Sequence, residues 1–285
     1  VLEKKNQKAR ARLLDALLVI AKQNEKGMAV LSWERAKEQY GVTMPVVRAM
    51  EEKGIVKLES MRIYRDPLDL MISRSDQKQE EVKMQTGRDF FLNEEQQLAV
   101  QTILKEWDQK DKSVYLLHGV TGSGKTEVYM ELIDFVRKQG KQAIFLIPEI
   151  ALTYQMVLRF YQRFGSRVSI LHSRMSAGER YDQYEKAKNG EIDIMIGPRS
   201  ALFTPFSNLG IIIIDEEHEE SYKSETVPRY HARETAQRRA EMEGAKLILG
   251  SATPSVESYY RAEKGEYCLL EMKRRANRQK LPYVW

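Results

Sequence analysis

The chain of 285 residues carries 46 Lys plus Arg against 41 Asp plus Glu, one cysteine and 42% apolar residues, a composition of one or two globular domains with a real core. A single cysteine excludes an intramolecular disulfide and a Cys-rich zinc site and points to a reducing cytoplasm; the longest near-apolar run, Leu209 to Ile214, falls far short of the ~20 residues of a membrane helix. The net charge of +5 divides into +4 over residues 1–72, −4 over 73–272 and +5 over 273–285, and basic ends of this kind suit either a nucleic-acid partner or an ordinary solvated surface.

In chain order, Leu13, Leu14, Leu17, Leu18 and Ala21 recur at helical spacing, and Gly27 closes the run. Ser32 is a candidate N-cap for a short helix through Gln39. Tyr40-Gly41-Val42 reads as a turn, and Val46, Val47 and Met50 mark a further helix that stops at Lys53-Gly54. Ile55 to Glu59 and Met61 to Arg65 then read as two short strands ending at Asp66-Pro67. Helix, short helix, turn, helix and hairpin is the order of a winged helix-turn-helix over residues 1–72, which either enters the major groove of DNA or packs on protein. Arg48, Lys53, Arg62 and Arg65 are its exposed candidates for DNA contact, Arg48 and Arg62 foremost.

Residues 73–88 are polar and almost free of aromatics, the composition of a linker and hence of a domain boundary. Beyond them, apolar runs at 114–118, 143–147, 169–172, 192–196, 211–214 and 246–249 alternate with helical stretches. Continuous Ile/Val/Leu strands between helices predict an α/β domain over residues 89–275, with a parallel sheet covered on both faces.

Gly119-Val120-Thr121-Gly122-Ser123-Gly124-Lys125-Thr126 directly follows the first of these runs and precedes a helical stretch from Glu127. A G-x4-G-K-[ST] pattern between strand and helix is a P-loop. Its glycines let the backbone curl N–H groups around phosphates where a Cβ would obstruct, and the helix N-terminus aims its dipole at the negative charge. In that role Lys125 reaches the β and γ phosphates of a nucleotide and Thr126 ligates Mg²⁺. The second half of such a site is acidic. The run 211–214 leads into Asp215-Glu216-Glu217-His218, where Asp215 is placed to hold the Mg²⁺ hydration shell and Glu216 to orient and deprotonate the attacking water.

GVTGSGKT (119–126), PEIALT (148–153), GPRSALFTPF (197–206), DEEH (215–218) and GSATPS (250–255) follow the order and approximate spacing of superfamily-two helicase motifs I, Ia, Ib, II and III. With RYHARE (229–234) after DEEH, the wording resembles the bacterial primosomal helicases that restart stalled replication forks, over most of residues 90–275. The resemblance implies a RecA-like P-loop lobe behind a winged helix, and a DNA-dependent ATPase and helicase that travels 3′ to 5′ with ATP and Mg²⁺. It also implies a bacterial cytoplasmic setting, no membrane, and forked, single-stranded and duplex DNA, primosome proteins and single-strand-binding protein as partners.

Residue roles follow from the same resemblance. Leu92 to Gln96 resembles the Q motif, whose glutamine reads adenine; Gln96 equally suits the first turn of a helix capped by Asn93, and the two roles are compatible. Thr153, Arg199 and Ser200 fall where the family contacts phosphates of the tracking strand, while Leu202, Phe203 and Phe206 are expected in the core. Ser251 and Thr253 fall in motif III, which couples the γ-phosphate site to the DNA groove. His218 is expected to bridge motif II to it and not to hold a metal. Residues 219–236 resemble the aromatic-rich loop of these and the related RecQ helicases, which senses single-stranded DNA. Tyr222, Lys223, Arg229, Tyr230, His231 and Arg233 are its candidates, with packing of Tyr230 and His231 on the sheet as the other reading.

The family's architecture further implies a fork-end domain before residue 1 and, after about residue 275, a second lobe with a Cys-rich zinc module. Residues 276–285 would lead into that lobe, and no zinc is expected within this chain. The arginine finger and motifs IV to VI would lie there too, so the expectation is binding of ATP, Mg²⁺ and DNA with slow hydrolysis and no unwinding. Two alternatives are a nucleotide-gated DNA clamp that does not translocate and a restriction-type translocase, the latter disfavoured by the wording of DEEH and RYHARE.

Overall fold

A computed structural model describes residues 2–23, 29, 31, 33–58, 92–109 and 113–276. The chain divides into two compact units, Val1–Ile63 and Tyr64–Trp285.

The described residues of the first unit form three helices, α1 (Leu2–Gln23), α2 (Trp33–Tyr40) and α3 (Met44–Glu51). Pro45 sits in the first turn of α3, where its missing N–H has no intrahelical partner to lose. Leu13, Val46, Val47 and Met50, which the helical spacing marks, close into a small core together with Ala36 and with Val42 of the turn, whereas Leu18 of the same helical run is 58% exposed. Arg48 and Lys53 are exposed. The strand expected from Ile55 does not form over 55–58. There the chain turns back on α3, with Ile55 N–H bonded to Met50 O at 3.0 Å and Leu58 N–H to the Glu51 carboxylate at 2.8 Å. The remainder of the expected wing, with Arg62 and Arg65, and the linker at 73–88 lie outside the described residues.

The second unit is built on a seven-stranded sheet of order β3-β4-β2-β5-β6-β1-β7, parallel throughout. Its strands are β1 (Val114–Gly119), β2 (Gln142–Leu146), β3 (Val168–Ile170), β4 (Ile194–Gly197), β5 (Leu209–Asp215), β6 (Lys246–Ser251) and β7 (Cys268–Met272). The first six fall on the apolar runs of the sequence. β7, at one edge of the sheet, has only Leu270 and Met272 buried, and half-covered CLLEM lacks the continuous aliphatic signal of its neighbours.

Helices cover both faces. α4 (Glu94–Lys105), α5 (Lys125–Lys138) and α6 (Tyr154–Phe164) pack with Tyr115, Leu117, Ile211 and Ile213. α7 (Ala177–Lys188), α8 (Ala232–Glu243) and α9 (Val256–Glu263) pack with Leu116, Ile212 and Ile214. Alternate residues of one strand therefore feed opposite cores, which is why β5 reads as four consecutive isoleucines, each fully buried and each contributing about 1.5–3 kcal/mol of apolar burial. On α8 the buried residues are Ala232, Ala236 and Ala240, small side chains at helical spacing that let the helix lie close on the sheet.

Two features of this architecture place the site. β6 lies between β5 and β1, and register sets Asp215 beside Gly250, Gly250 beside Leu117, and Ser251 beside His118. The carboxyl ends of three adjacent strands thus meet at one crevice, where ligands of open α/β sheets bind. α4 is tied at both ends: Asn93 and Gln96 form a reciprocal capping box at its start, and beyond its far end the buried Lys246 donates to Gln109 O at 2.7 Å.

Candidate nucleotide site and its surroundings

β1 delivers Gly119 at the sheet edge and α5 begins at Lys125, so residues 120–124 form the connecting loop. Gly122 and Gly124 take φ of 78° and 85°, a region open to glycine. A Cβ at Gly119 would stand 2.6 Å from Ser123 Oγ, and one at Gly124 would overlap Gln96 Nε2. Lys125 is 8% exposed; its Nζ donates to Gly119 O at 3.0 Å and lies 3.5 Å from Glu216 Oε1. Thr126 is half-buried in the first turn of α5, Thr121 is exposed, and Val120 N–H is bonded to Met272 O at 3.1 Å. Ser123 Oγ is buried with no hydrogen-bond partner. An orphaned donor in a glycine-lined loop beside a lysine suits a phosphate oxygen.

Gln96 takes up the capping role. Its Oε1 accepts from Asn93 N–H at 2.8 Å, and its Nε2 donates to Ser123 O at 3.0 Å and Gly124 O at 3.4 Å. Buried to 3% exposure, the amide braces the P-loop from the capped helix.

At the end of β5 the Asp215 carboxylate accepts from the Tyr129 hydroxyl at 3.0 Å, and the Asp215 carbonyl accepts from the Tyr222 hydroxyl at 2.6 Å. Burial, then the neighbouring Glu216 carboxylate, push the Asp215 carboxyl up to about 6, against the pull of Lys125 and Tyr129. Glu216 has φ of 47°, a left-handed conformation that costs a non-glycine residue about 1–2 kcal/mol. Strain of that kind recurs at functional sites. Here it sets a one-third exposed carboxylate between Lys125 and His218, at 3.5 Å and 3.8 Å.

His218 stands at the junction of β5 and β6. Its Nδ1 is 2.8 Å from Ser251 Oγ and its Nε2 is 3.5 Å from Thr253 Oγ1, while Ser251 Oγ also accepts from Thr253 N–H at 2.9 Å. Glu217 turns the other way. It is buried and accepts from Arg233 Nη1 at 2.7 Å, Ser255 N–H at 2.7 Å and Ser258 Oγ at 3.0 Å. Arg233, expected on the DNA side, is thus an internal counter-ion, and Tyr222 is likewise buried at 1% exposure with its hydroxyl on β5. Sixteen residues separate Glu217 from Arg233, and no local pattern marks the pair.

Several of the remaining candidates meet around Arg199. Arg199 Nη1 donates to Ser221 O at 2.8 Å and Lys223 O at 2.7 Å, and its guanidinium bonds Tyr230. The loop is further closed by Ser224 N–H on Tyr230 O at 2.8 Å. Ser200 is half-buried, its carbonyl accepting from Tyr184 at 3.3 Å. Leu202 and Phe206 are buried as expected, but Phe203 is 52% exposed, with its ring centroid 5.2 Å from that of Tyr230 in an edge arrangement. It lies in a 3-10 turn, where successive side chains splay to different sides. Lys223 and Arg229 are exposed beside this pair in sequence, and His231 caps α8 by accepting from Arg233 N–H at 3.2 Å. Thr153 is exposed at the N-cap of α6. Tyr129 went unnoticed in the sequence; its signal is its place four residues after Lys125, on the same helix face.

Residues 89–256 match the family described as "Type III restriction enzyme, res subunit". Replication restart protein PriA of Bacillus subtilis is 47% identical over 239 residues, 84% of this chain and 28% of that protein. PriA of Synechocystis is 40% identical over 246 residues, 84% of this chain and 27% of that protein. This chain therefore spans about a quarter of the length of these relatives. Among solved structures, RecG bound to a three-way DNA junction aligns with a TM-score of 0.49 and 21% identity over 97% of this chain and 31% of that one.

Proposed function

The chain belongs to the family described as the res subunit of type III restriction enzymes, and from that premise we propose that it is the ATP-binding lobe, with an adjoining DNA-binding module, of a 3′-to-5′ replication-restart helicase. The observation that carries the reading is the crevice where Lys125, Asp215, Glu216 and Ser251 converge from three adjacent strand ends. Similarity to PriA proteins supports the restart role.

In this reading the P-loop, Gly119 to Thr126, wraps the triphosphate. Lys125 exchanges its bonds to Gly119 O and Glu216 for the β and γ phosphates. Thr126 and Asp215 would hold Mg²⁺, which when bound neutralises charge on the phosphate oxygens. Release of Lys125 leaves Glu216 free to orient water and accept its proton. His218, Ser251 and Thr253 then relay the state of that carboxylate to the outer surface, since His218 touches both motifs. Thr153, Arg199, Ser200, Lys223, Arg229 and Tyr230 form the single-strand surface, extended by Phe203; Arg233 and Tyr222 hold its loop to the site from within. The first unit adds duplex contacts through Arg48 and Arg62. Primosome proteins and single-strand-binding protein are partners of the whole protein in a bacterial cytoplasm; no described helix is long and apolar enough to cross a membrane. One lobe offers one wall of an ATP site, so these 285 residues bind ATP and DNA, hydrolyse slowly and do not unwind.

The test is ATP binding and DNA-stimulated hydrolysis, in this chain and in the whole protein, for Lys125→Ala and Glu216→Gln. Lys125→Ala should lose nucleotide binding; Glu216→Gln should keep ATP and DNA binding and lose turnover and unwinding. DNA function that survives loss of turnover would favour the nucleotide-gated clamp.

A further inference from the structure

We infer that Arg275 is a further nucleotide-binding residue, its guanidinium contacting the polyphosphate held by the P-loop. The inference rests on the reading of that loop as the ATP site and extends it to a segment outside every motif.

The backbone after β7 follows the P-loop closely. Val120 N–H bonds to Met272 O at 3.1 Å and Ala276 N–H to Gly122 O at 2.8 Å, so Arg275 is flanked by two anchor points on the loop. Three cations stand in a row here. Lys273 pairs with Glu271 at 3.0 Å, and Arg274 lies 3.8 Å from Glu95, whose carboxylate also accepts the Arg274 N–H at 3.0 Å. Arg275 alone of the three has no carboxylate partner among the described residues. Its aliphatic stem lies over Gly122, where a Cβ would stand 4.0 Å from Arg275 Cγ. Its Nε is buried with no hydrogen-bond partner.

A guanidinium cannot shed its charge, and a buried donor left unpaired is costly. An oxyanion relieves both, because the planar fork matches two phosphate oxygens. Ser123 Oγ, on the same loop, is the second buried donor in this state. Two orphaned donors flanking a P-loop are both satisfied by phosphate oxygens of one ligand. Gln96, the expected adenine reader, is held by Asn93 and the loop carbonyls, and Arg275 adds to Lys125 a second cation beside the loop.

Calorimetric titration of the 285-residue chain with Mg²⁺–ADP and with inorganic tripolyphosphate tests this, using wild type, Arg275→Ala, Arg275→Lys and Lys125→Ala, with thermal melting as the check on folding. Arg275→Ala should weaken both ligands about tenfold or more, the scale of a hydrogen bond to a charged group. Arg275→Lys should fall between, because a point charge remains and the fork is lost; it also decides the matter where the alanine variant melts early. Unchanged affinity in Arg275→Ala, with binding abolished in Lys125→Ala, overturns the role of Arg275 and leaves the P-loop reading intact. Weaker ADP binding with unchanged tripolyphosphate binding overturns the phosphate contact. No binding by the wild type overturns both readings.

Discussion

The Tyr129 hydroxyl reaches Asp215 Oδ1, at 3.0 Å, through space that residue 250 leaves open by having no side chain; a Cβ there would overlap the hydroxyl. Gly250→Ala should therefore displace Tyr129 and destabilise the lobe by about 1–3 kcal/mol, the range of overpacked cores. Tyr129→Phe should cost about 1 kcal/mol for the lost bond. Since both changes act on one contact, the double variant should lose less than the two single losses together. Thermal unfolding of the four proteins measures this, and strict additivity would separate the two positions.

The Glu217–Arg233 pair gives a contrast with its exposed neighbour Arg229. Removing Arg233 leaves a carboxylate with no exposure and no counter-ion, which should cost about 3–5 kcal/mol. Arg229→Ala should leave the melting temperature unchanged, weaken single-stranded DNA and flatten the salt dependence of binding. The reverse pattern would place Arg233 on the DNA and Arg229 in the structure.

Asp215 carries a pH signature. Its carboxyl rises from the usual 3.8 to about 6 on folding, chiefly through burial and then the Glu216 charge. Between those values the folded chain binds more protons than the unfolded one, so this residue's contribution to stability falls as pH rises through that window. Above it, the ionised form burdens the fold by about 3 kcal/mol. Asp215→Asn keeps an acceptor for Tyr129 without the charge. It should melt above the wild type at neutral pH, with the gap closing toward acid; a gap independent of pH would assign the effect to packing.

Phe203 is more than half exposed beside Tyr230. Phe203→Ala should leave the melting temperature nearly unchanged and reduce single-stranded DNA affinity by about 1–3 kcal/mol, the scale of one stacked base. Fluorescence anisotropy with a labelled oligonucleotide reads it directly, and intact affinity would remove Phe203 from the binding surface.

What the sequence disclosed and what it withheld divide by range. Chain-continuous signals were legible: the glycines of the P-loop, six aliphatic strands, and the Asn93-x-x-Gln96 cap. The direction a side chain faces outside regular structure was not. Tyr222 and Phe203 both end short 3-10 turns, yet Tyr222 turns inward because its hydroxyl finds the Asp215 carbonyl, and Phe203 turns outward beside Tyr230. Pairings between a helix and the end of β5 escaped for the same reason: Glu217 with Arg233 and Tyr129 with Asp215 are far apart in sequence and meet only once the helices pack on the sheet. β7 escaped because only two of its five residues are buried, too few to demand an aliphatic run.

The ties at the two ends of α4 have a mechanical consequence. Gln96 grips the P-loop at one end, and past the other Lys246 holds the chain to the start of β6, whose far end carries Ser251 against His218. Twelve helical residues span ~18 Å and six strand residues ~20 Å, so helix and strand are matched in length, the helix fixed to the P-loop at one end and, past the other, to the start of β6. A helix held at both ends in this way ties the position of the P-loop to the start of β6, so a displacement of one loads the other.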